Sequence, residues 1–513
     1  MRKTLYLLLG LGGMLATLNG CNTDIQGDVL PNQPPKTFTV VDTIIRSGDD
    51  RLTSTVVINW WGTDPDGFVA GYEFTFDPNP GPATVWNYTT RTDSTFLLTV
   101  PAGNDSFDFR FTVRAVDNFG LKDPNPASVR YPVKNSPPTA DFLYPASGGN
   151  PLAGGFPLVS YPVLHYSWQG SDPDGFNTLE QYELILNDTN QAANIFSLSA
   201  TFTEVILQAE NLTGAGSACL VFPGTNENAL ASRMQGLVFE DSNRVYLRAV
   251  DQSGARSPWR ESRPTYVKRP QSRFLVVNAY GTDPNPDLNA ANIATLYQTE
   301  LNAIGISSYD QVRIFERQGN NFINLSANNR TQAKVFDLFD QIMLIGPDFD
   351  IGIVFTQNTM GRFLDGGGRL LVSLASSLGS PVVSSFYDFS PIDSLQLAAP
   401  GFEFLLADTS TAMPLQAGYP SLRYRGFTSS VRPIRFVGGV TPLYRANILH
   451  RGGASPFPPF PVFTGNSNIM GMRVNAANNS KFVITSLELH RLNNNGNLGA
   501  LLDRILKTEF GVQ

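Results

Sequence analysis

"WWGTDPDGF" at residues 60–68 returns as "WQGSDPDGF" at 168–176. Other landmarks repeat in the same order around it. "PPKTF" from 34 matches "PPTADF" from 137, "YEFTF" from 72 matches "YELIL" from 182, and "RAVDNFG" from 114 matches "RAVDQSG" from 248. Preserved order over such a length marks a duplicated structural unit, and the second copy carries an insertion between the Trp phrase and "RAVD". Between landmarks the chain alternates apolar and polar residues, as in "TVVINW" (55–60), "TFLLTV" (95–100) and "FDFRFTVRAV" (107–116). Period-two alternation bounded by Gly, Pro, Asn and Asp predicts short, half-buried strands.

About seven such strands per ~100 residues predict a β-sandwich in each copy. The copies resemble fibronectin type III or related immunoglobulin-like domains. The residues that carry the likeness are Trp60 and Trp168 at the end of the second strand, Tyr72 and Tyr182 in the third, and "RAVD" (114–117 and 248–251) in the sixth. The expected boundaries are 36–134 and 135–269, with strand assignment blurred by the insertion at 187–240.

Asp-Pro-Asp-Gly has two readings. As a corner, Pro presets φ, Asp accepts from nearby amides and Gly permits positive φ, while Trp and Phe pack beside the turn. As chemistry, clustered carboxylates suit calcium, which takes six to eight oxygens. The loop after the second strand and the end of the sixth strand share one pole of such a sandwich. Asp64, Asp66 and Asp117 are therefore candidate Ca²⁺ ligands in copy one, and Asp172, Asp174 and Asp251 in copy two. Trp61, Trp86 and Tyr88 present a further choice, between edge packing and a platform for sugars.

From about 270 the pattern changes. "RFLVVNAY" (273–280) and "FDQIMLIGP" (339–347) read as buried strands. "NAANIATLYQTELNAIG" (289–305) reads as a helix with Asn289 as its N-cap, and "LGALLDRILKTEF" (498–510) as an amphipathic helix. Strands alternating with helices predict a three-layer α/β domain over 270–513 with a mostly parallel sheet, and the Pro-, Gly- and Ser-rich segment 385–480 as an insertion. "FDQIMLIGP" and "FLDGGGRLLVSL" (363–374) resemble the class I glutamine amidotransferase-like, flavodoxin-like fold. The resemblance implies a Cys nucleophile after the strand ending at Leu374, where this chain reads Ala375-Ser376-Ser377. Glu488 and His490 only loosely match that family's His and Glu, in a different order.

No G-x-S-x-G elbow and no His pair at ligand spacing supports hydrolysis by serine or metal. Open α/β sheets bind ligands outside the carboxyl ends of their strands. The candidates at that edge are Asp283, Asp287, Asp348, Asp350 and Ser376, an acidic set that suits a cation or a polar sugar better than phosphate.

The ends set the compartment. Arg2 and Lys3 precede "LYLLLGLGGMLATL", the length of a signal core and too short for a comfortable span. Leu18-Asn19-Gly20-Cys21 resembles the lipobox of bacterial lipoproteins, which implies cleavage before Cys21, lipidation of Cys21 and a signal peptide of residues 1–20. Residues 21–35 read as a polar tether. Asn22 implies, by the same resemblance, outer-membrane sorting. The other cysteine, Cys219, then has no disulfide partner. Net charge of −7 and a charged fraction of 16% without a basic cluster exclude nucleic acid as a partner. The reading is a non-catalytic, lipid-anchored cell-envelope protein whose sandwiches act as spacers for a domain binding a protein partner or glycan. The competing readings are an envelope hydrolase and a structural subunit of a surface or secretion assembly.

Overall fold

The structure, a computed structural model, describes residues 30–40, 55–101, 103–144, 156–174, 178–314, 317–318, 321–322, 329–347, 359–375, 384–429, 431–453 and 457–513. Cys21, Asp348, Asp350 and Ser376 lie outside them. The protein is mostly β. Its chain divides into two compact units, Met1–Ser136 and Pro137–Gln513.

The first unit is a sandwich of seven strands: β1 (Lys36–Thr39), β2 (Thr55–Thr63), β3 (Val69–Thr75), β4 (Asn87–Thr89), β5 (Asp93–Leu97), β6 (Ser106–Asp117) and β7 (Ala127–Lys134). One sheet has the order β1-β2-β5 and the other β4-β3-β6-β7. All pairs are antiparallel. Alternation along β2 buries Val56, Ile58 and Trp60 and leaves Val57 and Trp61 exposed. Trp60 anchors an aromatic core, 5.5 Å from Phe111 and 6.0 Å from Phe74 between ring centroids. The glycine two residues after each Trp is a packing requirement. A Cβ at Gly62 would sit 3.0 Å from the Ala115 Cβ, and one at Gly170 would collide with the Tyr182 hydroxyl.

The second unit begins with the other sandwich. Its five-stranded sheet runs Arg233–Val238, Gly216–Pro223, Glu204–Ala209, Val163–Ser171, Thr139–Leu143. Its four-stranded sheet runs Phe196–Ser199, Leu179–Leu186, Val245–Asp251, Arg260–Glu261. The insertion supplies the hairpin Gly216–Pro223/Arg233–Val238, which widens the first sheet and buries Cys219.

Beyond it lies a nine-stranded mixed sheet. Five parallel strands run in the order Asp310–Arg313, Phe274–Asn278, Gln341–Gly346, Arg369–Leu374, Ser480–Thr485. Four antiparallel strands follow: Asn468–Asn475, Val440–Ala446, Thr411–Pro414, Leu422–Arg423. The helix Ala290–Ala303 begins as expected, with Asn289 Oδ1 accepting from the amides of Ala291 and Asn292. The mostly parallel sheet expected here is corrected in one respect. Segment 385–480 is no separate insertion outside the sheet; it contributes the four antiparallel strands, and Leu443, Ile469 and Met470 join Val483 in one core cluster. Glycine- and proline-rich composition masked that alternation.

The second sandwich and this sheet share a core. Tyr161, Val163, Ile206 and Phe222 pack in one cluster with Leu275, Val277, Leu344 and Phe482. Asp310, wholly buried, accepts from the Tyr161 hydroxyl at 3.0 Å and the Gln271 amide at 2.7 Å, and pairs with Lys268 at 3.3 Å. The Lys334 ammonium sits 3.5 Å over the Phe222 ring. Arg330 donates to the Gly224 and Asn226 carbonyls.

Candidate functional site

The two Asp-Pro-Asp-Gly corners differ although their sequences match. In copy one Asp117 is spent on its own turn. Its Oδ1 accepts from the Phe119 and Leu121 amides at 2.8 and 2.9 Å, and its Oδ2 accepts from Asn32. Asp66 Oδ2 accepts from the Gln33 amide at 3.0 Å. Asp64 is half-buried as a residue, with its carboxylate oxygens covered and set against the backbone of Asp66. Burial, reinforced by the Asp66 and Asp117 charges, raises the Asp64 carboxyl above the usual range.

In copy two the corner closes on itself. Asp172 Oδ1 accepts from the Asp174 amide at 2.9 Å and Oδ2 from the Thr178 hydroxyl at 2.6 Å. Asp251 Oδ1 accepts from the Ala255 amide at 2.8 Å. Asp172, Asp174 and Asp251 are 8%, 1% and 1% exposed. Burial raises the Asp172 carboxyl. The expected three-carboxylate grouping does not form in either copy: among the described residues no three His, Cys, Asp or Glu side chains could together hold a metal ion. The hydrogen bonds of Asp117 and Asp172 turn those carboxylates toward their own loops.

The aromatic candidates also separate. Trp86 is covered by the Arg114 guanidinium at 3.9 Å, and the Tyr88 hydroxyl donates to the Ala70 carbonyl. Trp61 is 47% exposed and stacks on Phe38 at 5.5 Å.

At the carboxyl edge of the parallel strands, segment 422–428 folds over part of the edge. The Arg425 amide donates to the Arg491 carbonyl at 2.7 Å, and its guanidinium pairs with Asp287. Asp283 Oδ1 accepts from the Asn285 amide at 2.7 Å. Asp283 and Asp287, expected to make this edge acidic, are therefore engaged, one by a turn and one by an arginine. Beneath them lies a polar cluster that the acid count did not identify. Ser373 Oγ, at the end of Arg369–Leu374, accepts from the Leu489 amide at 3.0 Å and fixes the turn after Ser480–Thr485. That turn buries Glu488 and His490, 5% and 1% exposed. His490 packs edge-on to Tyr280 and Tyr297 at 5.7 and 6.5 Å.

His490 lies against the Asp287 backbone, the Tyr297 hydroxyl against Ser373 and the His490 backbone, and the Tyr424 hydroxyl against Thr428, all shielded from solvent. Burial pushes the Glu488 carboxyl up to about 7, against the pull of Arg491, and pushes His490 down to about 4. The sequence signal for this cluster was "SLELHR" (486–491) directly after a buried strand.

No family model and no curated protein matches the chain. Among solved structures it is similar to the fibronectin(III)-like modules of Clostridium thermocellum CbhA, at 12% identity, over 42% of this chain and 87% of that one, with a TM-score of 0.17. It is also similar to the PKD1 domain of Vibrio anguillarum Epp, at 14% identity over 20% and 96%, TM-score 0.14. A third is the central fibronectin-III array of RIM-binding protein, at 13% identity over 47% and 71%, TM-score 0.15.

Proposed function

We propose that the chain is a lipid-anchored envelope protein that binds a partner or glycan through its C-terminal sheet without catalysis. The observation that carries the binding reading is the state of His490. A general base must reach the proton it removes, and this imidazole is buried, neutral near pH 7 and bonded to no hydroxyl. The tyrosines and Glu488 beside it are buried as well, so this cluster holds the turn in place and leaves recognition to the loops that cover it. An amidotransferase-like fold whose nucleophile position holds no cysteine fits the non-catalytic reading.

The anchor rests on the lipobox-like Leu18-Asn19-Gly20-Cys21. The sandwiches serve as spacers, the second being built into the same unit as the sheet. Labelling cells with an alkyne-tagged fatty acid tests the anchor: the parent chain incorporates label and sediments with membranes, and Cys21→Ser does neither. A soluble, unlabelled parent chain rejects the anchor. The binding reading is tested with purified envelope polysaccharide and the full chain. Retention without release of reducing ends supports it, and turnover of the polymer favours the hydrolase.

A further inference from the structure

We infer that the pole of the first sandwich where the chain enters rests on a membrane surface, with Phe68 and Phe119 at the boundary between headgroups and acyl chains. The inference deepens the anchor reading and rests on it. Asn32 donates to the Asp117 carboxylate and the Gln33 amide donates to Asp66, so the incoming chain is tied to this pole. Two loops meet beside it. The Phe68 amide donates to Asn118 Oδ1 at 3.2 Å, and the Asn118 amide donates to the Phe68 carbonyl at 3.1 Å. From these joined loops Phe68 and Phe119 stand 65% and 74% exposed, with Leu121 and, on the incoming chain, Leu30 exposed as well. Exposed apolar residues scattered singly need no explanation, but a group at one end of a sandwich marks a contact surface.

Position selects the occupant. Nine residues of chain separate Cys21 from Leu30, a reach of at most about 30 Å. A lipid on Cys21 keeps this pole within that distance of the bilayer, and so short a tether turns weak contacts into intramolecular ones at high effective concentration. Phe and Leu side chains gain free energy by entering the interface, so the lipid retains the chain while the pole orients it. Asp117 and Ser106 end β6 at opposite poles, and Lys134 pairs with Ser106, so the chain enters the unit at the apolar pole and leaves it at the other. The carboxylates of Asp64, Asp66 and Asp117 share the apolar pole and oppose an anionic surface. The matching surface is therefore one of zwitterionic headgroups.

The second sandwich is an internal comparison. In its matching loop Ser253 and Ala255 stand where the first has Phe119 and Leu121, and Ser253 is buried. The copy that follows the anchor carries the apolar pair, and the copy far along the chain does not.

Fluorescence on vesicles tests this. The full chain from Cys21 onward is joined through that thiol to a maleimide lipid in phosphatidylcholine vesicles with brominated acyl chains. Cys219, wholly buried, does not compete for the maleimide. Phe119→Trp and, separately, Phe68→Trp place a reporter at the pole, two variants guarding against misfolding of one. Val85→Trp, in the exposed loop between β3 and β4 at the other pole, is the control. The emission that either polar-end reporter adds to the parent's is expected to be quenched at least about twofold on the vesicles, and that of Val85→Trp to be unchanged. Phosphatidylglycerol in place of phosphatidylcholine weakens the quenching. Unquenched emission from both Phe68→Trp and Phe119→Trp on the vesicles overturns the inference and leaves the anchor reading standing, since fatty-acid labelling in cells decides that separately. Shielding of Phe119→Trp already in lipid-free solution, the sign of a second copy or another protein on the pole, overturns it too. An unlabelled parent chain in cells rejects the anchor and this inference together.

Discussion

Glu488 and His490 stand two residues apart in one buried turn and titrate in opposite senses. Glu488 holds its proton more tightly folded, at about 7, than at its ordinary 4.5, so its contribution to stability falls as pH rises through that interval. His490 holds its proton less tightly folded, at about 4, than at its ordinary 6.5, so its contribution rises as pH climbs from 4 to 6.5. Between pH 4.5 and 6.5 the two slopes oppose, each worth about 1.4 kcal/mol per pH unit at full strength. Asp287, Arg425 and Arg491 border the pair and modulate both. Urea midpoints of the second unit at pH 4.5, 5.5 and 6.5 separate them. Glu488→Gln leaves a stability that climbs with pH, and His490→Gln one that declines. Profiles parallel to the parent in both variants contradict this account.

Among elements, the seam between the second sandwich and the parallel strands carries the largest consequence. Tyr161 lies on the sandwich side, packs edge-on to Phe339 at 5.2 Å and donates to Asp310. Tyr161→Ala removes a fully buried ring and one of the donors to the Asp310 carboxylate, at a cost of about 3–5 kcal/mol. Hydrogen exchange detects where the loss is felt. Protection falls together in Val163–Ser171 and in Phe274–Asn278, because the two strands border one core. Loss confined to the sandwich strand argues against a shared core.

This seam shows the reach of sequence reading. Alternation in "TVVINW" and the buried run "RFLVVNAY" announce strands, since period and apolarity are local properties. Which face of a sandwich meets which strand of a later sheet is a tertiary choice, and nothing near Tyr161 encodes its bond to Asp310. The same limit applies at the corners. Identical Asp-Pro-Asp-Gly phrases predict one chemistry, yet Thr178, outside the phrase, separates them. At the sheet edge, acidic side chains were legible as composition, while the pairing of Asp287 with Arg425, a partner far along the chain, was not.

For the whole molecule, two compact units imply two cooperative transitions. Trp60 lies in the first unit's core alone. Trp60→Phe is expected to lower the stability of that unit by roughly 0.5–3 kcal/mol and to leave the other transition in place, which differential scanning calorimetry on the full chain would read. Movement of both transitions means the units fold as one.

The thiol of Cys219 sits at zero exposure on the hairpin added to the second sandwich, and burial pushes it up to about 12. A sulfur in that state is protonated, shielded and slow toward oxidants and alkylating reagents while the hairpin stays in place. It becomes reactive when the strands part. The molecule thus carries a native chemical stopwatch: the rate at which a thiol reagent captures this one atom reports how often the second sandwich breathes.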